Sequence, residues 1–167
     1  MKFDAIIIGG GHCGMAKATE LQKSGLKCAV ISKGRSIYGP ESSEFRANGG
    51  IVLMGDEVAS VDYEGGKVKE IHTVNLGEVG LEAEKFFLAT GKFFGGGLVA
   101  DMDRVYEPVF GLDVIYEEDR SKWFSEKFAD PQPFLDFGVK LGEGGCAVKG
   151  GEPVANLFPL GEIIAKQ

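Results

Sequence analysis

The stretch Ile6-Ile7-Ile8-Gly9-Gly10-Gly11-His12-Cys13-Gly14 decides the fold that this sequence predicts. It joins an apolar run at residues 3–8 to residues 15–23, which have the composition of a helix. A G-x-G-x-x-G pattern is informative only between a strand and a helix, because isolated glycine clusters also mark plain turns. Both flanking elements are present, so the stretch predicts the phosphate-binding turn of a dinucleotide-binding βα unit.

Each glycine of the pattern has its own expected role. Gly9 permits the tight turn, Gly11 lets the backbone approach a pyrophosphate, and Gly14 lets the helix pack closely on its strand. The N–H groups at the helix N-terminus then face the anion. His12 and Cys13 lie inside the turn and are predicted to contact the cofactor. For His12 a bystander role is favoured over catalysis, because a catalytic imidazole needs an orienting partner and the sequence shows none. Cys13 is either a reactive thiol at the helix start or a small buried thiol, which is the commoner case.

Composition bounds the class of protein. A chain of 167 residues with 44% hydrophobic and 26% charged residues suits a single globular domain over residues 1–167. A net charge of −7 argues against a nucleic-acid partner. No apolar run approaches the roughly 20 residues that span a bilayer, and no secretory signal is recognisable, so a cytoplasmic protein is expected. Three cysteines without a C-x-x-C pair fit reduced thiols, and two histidines predict no metal site.

The end of the second strand departs from the usual nucleotide-binding pattern. Residues 27–31 form a second apolar strand, which completes a βαβ unit. An acidic residue is expected at its end to hold a ribose hydroxyl, but the sequence there is Ser32, Lys33, Gly34 and Arg35. Two interpretations stay open. In the first, their polar and cationic side chains bind the ribose or an extra phosphate, such as the 2′-phosphate of NADPH. In the second, they form a basic loop tip with no binding role.

The rest of the chain completes an α/β fold, namely a Rossmann-like parallel sheet with an antiparallel three-stranded crossover meander. A short helix is expected at 41–47, a third parallel strand at 51–54, and the meander at 57–63, 67–73 and 80–83, with a glycine turn at 65–66. A returning strand at 85–89 ends in Ala89-Thr90-Gly91, and a last strand at 154–160 leads into Gly161 and Glu162. Ligands of open parallel sheets bind at the carboxyl ends of the strands, where the Glu162 carboxylate can accept hydrogen bonds from sugar hydroxyls.

Residues 93–149 are less regular. Trp123, Phe124 and Phe128 stand at helical spacing and predict a helix at 121–128, whereas 138–141 and 147–148 are predicted to pair as a hairpin. Such an aromatic cluster is more often core or interface than part of a cofactor site. The alternative is an exposed aromatic surface for a partner, made of Tyr106, Phe110, Trp123 and Phe124.

The order of these motifs resembles the glutathione-reductase-like class of FAD/NAD(P)-binding folds. A closer resemblance, to the anaerobic glycerol-3-phosphate dehydrogenase subunit designated B, runs along nearly the whole chain with its motifs in order. The matching segments are residues 1–11, 29–36, 87–100, 107–114 and 131–134. That family is much longer than 167 residues. The resemblance therefore implies a shortened form that lacks the middle, substrate-side domain and ends before a glycine-rich helix that covers the flavin.

The resemblance also implies a cofactor and partners. The cofactor would be FAD or FMN, with Val58 at the adenosine end by analogy with the family fold and Gly161 and Glu162 beside the ribityl chain. The function would be that of a flavin-binding oxidoreductase subunit of a quinone-linked, glycerol-3-phosphate-oxidising complex in anaerobic respiration and glycerol metabolism. Its expected partners are a catalytic subunit and a membrane-bound iron–sulfur subunit, at the inner face of a bacterial membrane, and a homo-oligomer is a further expectation. Two alternatives stay open: an NADPH-binding reductase module, and a non-catalytic flavoprotein remnant that docks a partner.

Overall fold

The structure is a computed structural model, and it describes residues 1–34 and 39–166, of which residues 39–42 are described by their backbone alone. Arg35, one of the predicted phosphate contacts, lies outside the described residues, as does Gln167.

A five-stranded, all-parallel sheet forms the centre of the molecule, which confirms the predicted α/β class. The strand order is β13-β6-β1-β2-β3. Its strands are β1 (Lys2–Ile8), β2 (Cys28–Ser32), β3 (Ile51–Met54), β6 (Glu82–Leu88) and β13 (Leu157–Pro159). Two helices connect the first three strands, α1 (His12–Lys23) and α2 (Gly39–Ala47).

Both faces of this sheet are covered, which explains why its central strands are almost continuously apolar. Ile7 of β1 packs on the helical side with Met15 of α1 and Phe45 of α2, and all three are fully buried. Ile6 faces the other side and packs with Ile71, which belongs to the crossover between β3 and β6. The glycine turn therefore follows a strand, β1, whose side chains are packed on both faces of the sheet.

The crossover is an antiparallel hairpin of β4 (Val58–Glu64) and β5 (Lys67–Thr73). Gly65 and Gly66 form its turn with φ of +60° and +75°, the left-handed conformation that a two-residue type I′ turn requires. The predicted third strand of the meander is reduced to one antiparallel bridge between Leu81 and Ile71, because the chain enters β6 at the next residue.

Asn156, just before β13, joins the crossover hairpin to the sheet. Its side-chain amide donates to the Val68 carbonyl (2.9 Å) and accepts from the Val68 N–H (2.8 Å), as a paired strand would. The residue is buried, so these two bonds satisfy backbone groups that water cannot reach.

Three short antiparallel pairs follow β6. They are β7 (Val99–Ala100) with β8 (Val105–Tyr106), β9 (Val114–Ile115) with β10 (Gly138–Val139), and β11 (Ala147–Lys149) with β12 (Glu152–Val154). The predicted hairpin of 138–141 with 147–148 is confirmed only at its turn, where Leu141 and Ala147 form one antiparallel bridge and the Gly142 N–H donates to the Cys146 carbonyl (2.8 Å). Each segment finds its main partner elsewhere in the chain.

The predicted helix at 121–128 is also wrong. Only one 3-10 turn forms, at Arg120–Lys122, and the Ser125 N–H donates to the side chain of Gln132 (2.9 Å) instead of to a helical carbonyl. Side-chain acceptors that bind nearby backbone in this way compete with helix formation. Trp123 is buried against Phe137, with the two rings at 81° and 5.9 Å between centroids.

The aromatic set proposed as a docking surface is divided by the fold. Phe110 and Trp123 are buried, Tyr106 is half-buried, and Phe124 is exposed. The set therefore does not form one exposed patch. Across the described residues, no helix has both the length and the apolarity needed to cross a membrane.

Candidate functional site: a pocket at the carboxyl ends of the parallel strands

A cavity of about 650 Å³ opens where β1, β2, β6 and β13 end. With the exception of Gly14, every predicted cofactor-binding residue lines it. These residues are Gly9, Gly11, His12, Cys13, Ser32, Lys33, Gly34, Val58, Ala89, Thr90, Gly91, Gly161 and Glu162. Five separate segments of chain thus meet in one concave site, as the rule for open parallel sheets predicts.

The glycine turn is tightly packed against the neighbouring strand end. Gly9 has a φ of +117°, and a Cβ there would stand 2.1 Å from the Ala89 carbonyl oxygen. A Cβ on Gly14 would stand 1.9 Å from the Gly9 carbonyl oxygen. Packing within the protein therefore explains both glycines, and Gly14 acts from beneath the pocket.

Gly11 is different. Among the described residues, a Cβ on Gly11 would meet no protein atom within 4 Å, and its φ of −76° is one that any residue adopts. Neither packing against the described residues nor backbone strain accounts for glycine at this wall of the cavity. A group that comes close to the backbone from inside the cavity would account for it, as in pyrophosphate binding.

The N-terminus of α1, which is the positive end of the helix dipole, lies at the cavity wall beside Gly11. Within the described part of the chain, no side chain caps this end, and the first turn holds no acidic residue. Backbone N–H groups left open at a helix N-terminus bind anions, with help from the helix dipole. The turn and the helix N-terminus together can therefore accommodate a phosphate group.

Two acidic residues that sequence reasoning missed lie at the other end of the pocket. The chain after β3 crosses to the end of β2, where the Asp56 N–H donates to the Ser32 carbonyl (3.0 Å). Asp56 and Glu57 line the cavity as a result. The carboxylate that is absent after β2 is thus supplied by the next strand. The signal in the sequence was the pair Asp56-Glu57 directly after a short apolar strand.

Charges are paired at this end. Lys33 Nζ lies 3.4 Å from a Glu57 carboxylate oxygen, with both side chains about half exposed. Asp56 is buried, and its Oδ1 accepts from the N–H groups of Glu57 (2.8 Å) and Asn75 (3.0 Å). Among the described residues, Asp56 Oδ2 has no hydrogen-bond partner. An added 2′-phosphate would come close to two carboxyl groups here, whereas a ribose hydroxyl could donate to the half-exposed Glu57.

Ala89-Thr90-Gly91 turns beneath the cavity and is supported by a second glycine segment. A Cβ on Gly95 would stand 2.6 Å from the Thr90 carbonyl oxygen, and a Cβ on Gly97 would stand 1.9 Å from that of Gly91. The segment at residues 95–97 is therefore closely packed. Sequence reasoning also missed several residues of the cavity wall: Gly95, Gly96, Pro108, Val109 and Leu160.

The residues that follow β13 lie against the first turn of α1. Gly161 has a φ of +71°, and a Cβ there would stand 2.7 Å from Cys13 Sγ. Cys13 is exposed, so the more common case of a buried thiol does not apply. Near Glu162, burial and Lys166 lower the pKa of the Lys92 ammonium, and Asp136 and Glu162 partly offset this effect.

The family model described as "FAD binding domain" matches residues 4–62 and 37–167. The chain belongs to the FAD-binding domain family. This membership agrees with the parallel sheet, the glycine turn and the cavity, and the family's name refers to FAD and lends no support to FMN.

Curated relatives carry the name of the anaerobic glycerol-3-phosphate dehydrogenase subunit designated B. The protein from Glaesserella parasuis is 39% identical over 125 residues, which cover 72% of this chain and 29% of the relative. The protein from Actinobacillus pleuropneumoniae is 39% identical over 127 residues, covering 73% and 30%. The protein from Yersinia enterocolitica is 36% identical over 120 residues, covering 72% and 28%. The chain thus spans under a third of the length of these relatives.

Solved structures with partial similarity include two from Thermoplasma acidophilum. One is a geranylgeranyl bacteriochlorophyll reductase-like protein, with 18% identity and a TM-score of 0.48 over 54% of this chain and 39% of that one. The other is thioredoxin reductase, with 20% identity and a TM-score of 0.42 over 61% and 38%.

Proposed function

We propose that this chain is a flavin-binding part of a glycerol-3-phosphate-oxidising, quinone-linked dehydrogenase, and that its flavin is FAD. Gly11 carries the proposal for binding, because no contact with the described residues requires glycine there, whereas a phosphate-bearing group close to the backbone would require it. Membership of the FAD-binding domain family supports FAD as that group. The relatives named for anaerobic glycerol-3-phosphate dehydrogenase support the choice of reaction.

The segments around the cavity would hold the cofactor in order along its length. The N–H groups of the Gly9–Gly14 turn and of α1 would bind the pyrophosphate. Ser32, Lys33, Gly34 and Val58 would hold the adenosine end. Ala89-Thr90-Gly91 would pass beneath the cofactor, and Gly161 with Glu162 would lie beside the ribityl chain.

In this proposal the bound flavin supplies the hydride and electron chemistry, and the chain supplies binding and orientation. Glu162, at the end of the last strand, would accept hydrogen bonds from ribityl hydroxyls and so keep the chain of the cofactor extended. The glycine turn and the uncapped helix would neutralise the phosphates. No acid–base residue for substrate oxidation is assigned to this chain.

The adenosine end favours FAD over NADPH. Lys33 is already paired with Glu57 at 3.4 Å, and Asp56 adds a second carboxylate to the wall. A 2′-phosphate would be repelled by these carboxyl groups, whereas a ribose hydroxyl of FAD can donate to the half-exposed Glu57. The NADPH-binding alternative therefore requires a rearrangement of this ion pair.

The remaining parts of the proposal concern the assembly. Residues 1–167 would act as one flavin-binding domain that passes electrons to or from a catalytic subunit and a membrane-bound iron–sulfur subunit. The complex would lie at the cytoplasmic face of a bacterial membrane. The relatives are named as one lettered subunit of a dehydrogenase, which supports a multi-subunit arrangement.

The absorbance spectrum of the purified chain tests cofactor binding. We expect a yellow protein that releases FAD, and not FMN, when it is denatured and its supernatant is chromatographed. A colourless protein whose melting temperature rises with NADPH but not with FAD would refute the proposal and support a nicotinamide module. A chain that binds neither nucleotide but forms a complex with a partner would support the non-catalytic alternative.

The reaction is tested separately, after FAD has been loaded. Glycerol 3-phosphate should bleach the flavin absorbance only when the partner subunits are present, because in this proposal the catalytic subunit supplies the substrate site. Glycerol without the phosphate is the matched control. Flavin that stays oxidised in the reconstituted complex would contradict the proposed role in electron transfer and leave FAD binding intact.

A further inference from the structure

Three side chains of the metal-ligating type meet on the crossover hairpin. His72 Nε2 of β5 lies 3.0 Å from a Glu70 carboxylate oxygen and 3.4 Å from a carboxylate oxygen of Asp62 on β4. One ligand atom from each residue lies within 4.8 Å of the other two. The side chains are 22–56% exposed, so an ion in solution can reach them. None of the three lines the cofactor cavity.

The strand register brings these side chains together. Asp62 and Glu70 are direct partners across the antiparallel pair, and His72 stands two residues beyond Glu70 on the same face. Like charges directly opposite one another destabilise such a pair. Gly80 leaves room for the Glu70 carboxylate, since a Cβ there would stand 2.3 Å from Glu70 Oε2. The hairpin therefore holds two carboxylates where a cation between them would be stabilising.

The imidazole is oriented to complete the set. His72 Nδ1 lies 3.3 Å from the Gly77 carbonyl oxygen, which can only accept, so Nδ1 can donate its proton there. A metal ion at Nε2 would then replace the proton that this nitrogen can otherwise donate to the Glu70 carboxylate, 3.0 Å away. Histidines that bind metals usually donate their other ring N–H to a carbonyl or carboxylate in this way.

We propose that Asp62, Glu70 and His72 form a binding site for a divalent transition-metal ion, with Zn²⁺ the ion that suits them best. Zinc bonds of about 2.0–2.2 Å place neighbouring ligand atoms roughly 3–3.5 Å apart, which matches the 3.0 and 3.4 Å separations from the imidazole nitrogen. The imidazole ligand favours Zn²⁺ over Mg²⁺. Three protein ligands leave a position for water, and the ion would tie β4 to β5. This site is separate from the proposed flavin function.

Zinc titration of the full chain, followed by ¹⁵N NMR of the imidazole rings, tests the site directly. The chain has only two histidines, so the two rings can be assigned by one substitution. We expect Zn²⁺, but not Mg²⁺, to shift His72 Nε2 and to raise the melting temperature. His72→Asn and Glu70→Gln should each raise the Kd for Zn²⁺ at least tenfold, whereas the control His12→Asn should leave the hairpin site unchanged.

Several results would overturn the proposal. One is a shift of the His12 ring alone, and another is equal Zn²⁺ affinity for the wild type and His72→Asn. Either would mean that the cluster is an ion pair between a protonated imidazole and carboxylates. Circular dichroism in chelator shows whether each variant is folded. If His72→Asn unfolds, the wild-type ring shifts and Glu70→Gln still decide the question.

Discussion

Replacement of Gly11 by alanine separates cofactor binding from folding. The new Cβ would meet no atom of the described residues within 4 Å, and the φ of −76° is unstrained for alanine. Gly11 is the N-cap residue of α1, and alanine is a poorer N-cap than glycine, so we expect a loss of stability of no more than about 1 kcal/mol. Urea denaturation measures this cost.

The same substitution should strongly impair FAD binding. The methyl group would occupy the space through which the pyrophosphate approaches the backbone, and it would push the phosphates away from the N–H groups of α1. A loss of at least tenfold in affinity corresponds to about 1.4 kcal/mol. Fluorescence titration of the flavin-free protein with FAD measures it.

Gly14→Ala is the matched contrast. Its Cβ would stand 1.9 Å from the Gly9 carbonyl oxygen, so the backbone must shift, at a cost of about 1–3 kcal/mol in folding stability. Gly11→Ala should therefore lose binding while it stays folded, and Gly14→Ala should lose stability. A folded Gly11→Ala protein that binds FAD with wild-type affinity would refute the assignment of the phosphate turn.

Three further substitutions test other parts of the structure. Glu57→Gln should free the charge of Lys33, weaken FAD by a few-fold and improve binding of NADPH relative to NADH; an unchanged ratio in parallel titrations would contradict the ion-pair reasoning. Asn156→Ala should remove both buried hydrogen bonds to Val68 and cost about 2 kcal/mol or more in urea denaturation; a loss below half of this would mean that water replaces the amide. Glu107→Gln should reduce the pH dependence of stability. Burial raises the pKa of the Glu107 carboxyl, opposed by hydrogen bonds from backbone N–H groups, so its favourable contribution is present at low pH and is lost as the pH rises through the folded-state pKa. Melts from acid to neutral pH should show a shallower slope for the variant than for the wild type.

The Glu107 carboxyl group illustrates how a buried acidic side chain is satisfied by backbone hydrogen bonds beside the pocket. It accepts from the N–H groups of Val109 (2.6 Å) and Phe110 (2.9 Å), and it is almost fully buried. Tyr63 from β4 and Lys149 from β11 both donate to the Phe110 carbonyl beside it. This network fixes the loop that carries Pro108 and Val109 into the cavity wall.

Local patterns by themselves determined the first half of the fold. The strand, glycine turn and helix at the start of the chain are neighbours in sequence, so their periodicity and their glycines are sufficient to predict them. The Gly65–Gly66 turn is equally local, because two residues with positive φ between alternating strands define a hairpin. The carboxyl ends of parallel strands meet at one edge, so the predicted site residues could be placed in one cavity.

The tertiary structure alone decided the features that depend on distant partners. Residues 121–128 have aromatic residues at helical spacing, but the Ser125 N–H donates to the Gln132 side chain and the Trp123 ring packs against Phe137. Both partners lie outside the segment, so its own spacing does not reveal them. The short strands after β6 have too few residues to specify a partner locally, so packing selects their pairing.

The acidic residues of the cavity, Asp56 and Glu57, show most clearly what the sequence alone could not decide. The dinucleotide-binding pattern expects a carboxylate at the end of β2, but the sequence has none there. The pattern assumes that the residue that contacts the ribose follows this one strand. The chain after β3 supplies Asp56 and Glu57 to the same place, held there by the hydrogen bond from the Asp56 N–H to Ser32. Parallel neighbours present equivalent ends to one site, so either strand can provide the charge, and only their alignment in space shows which one does.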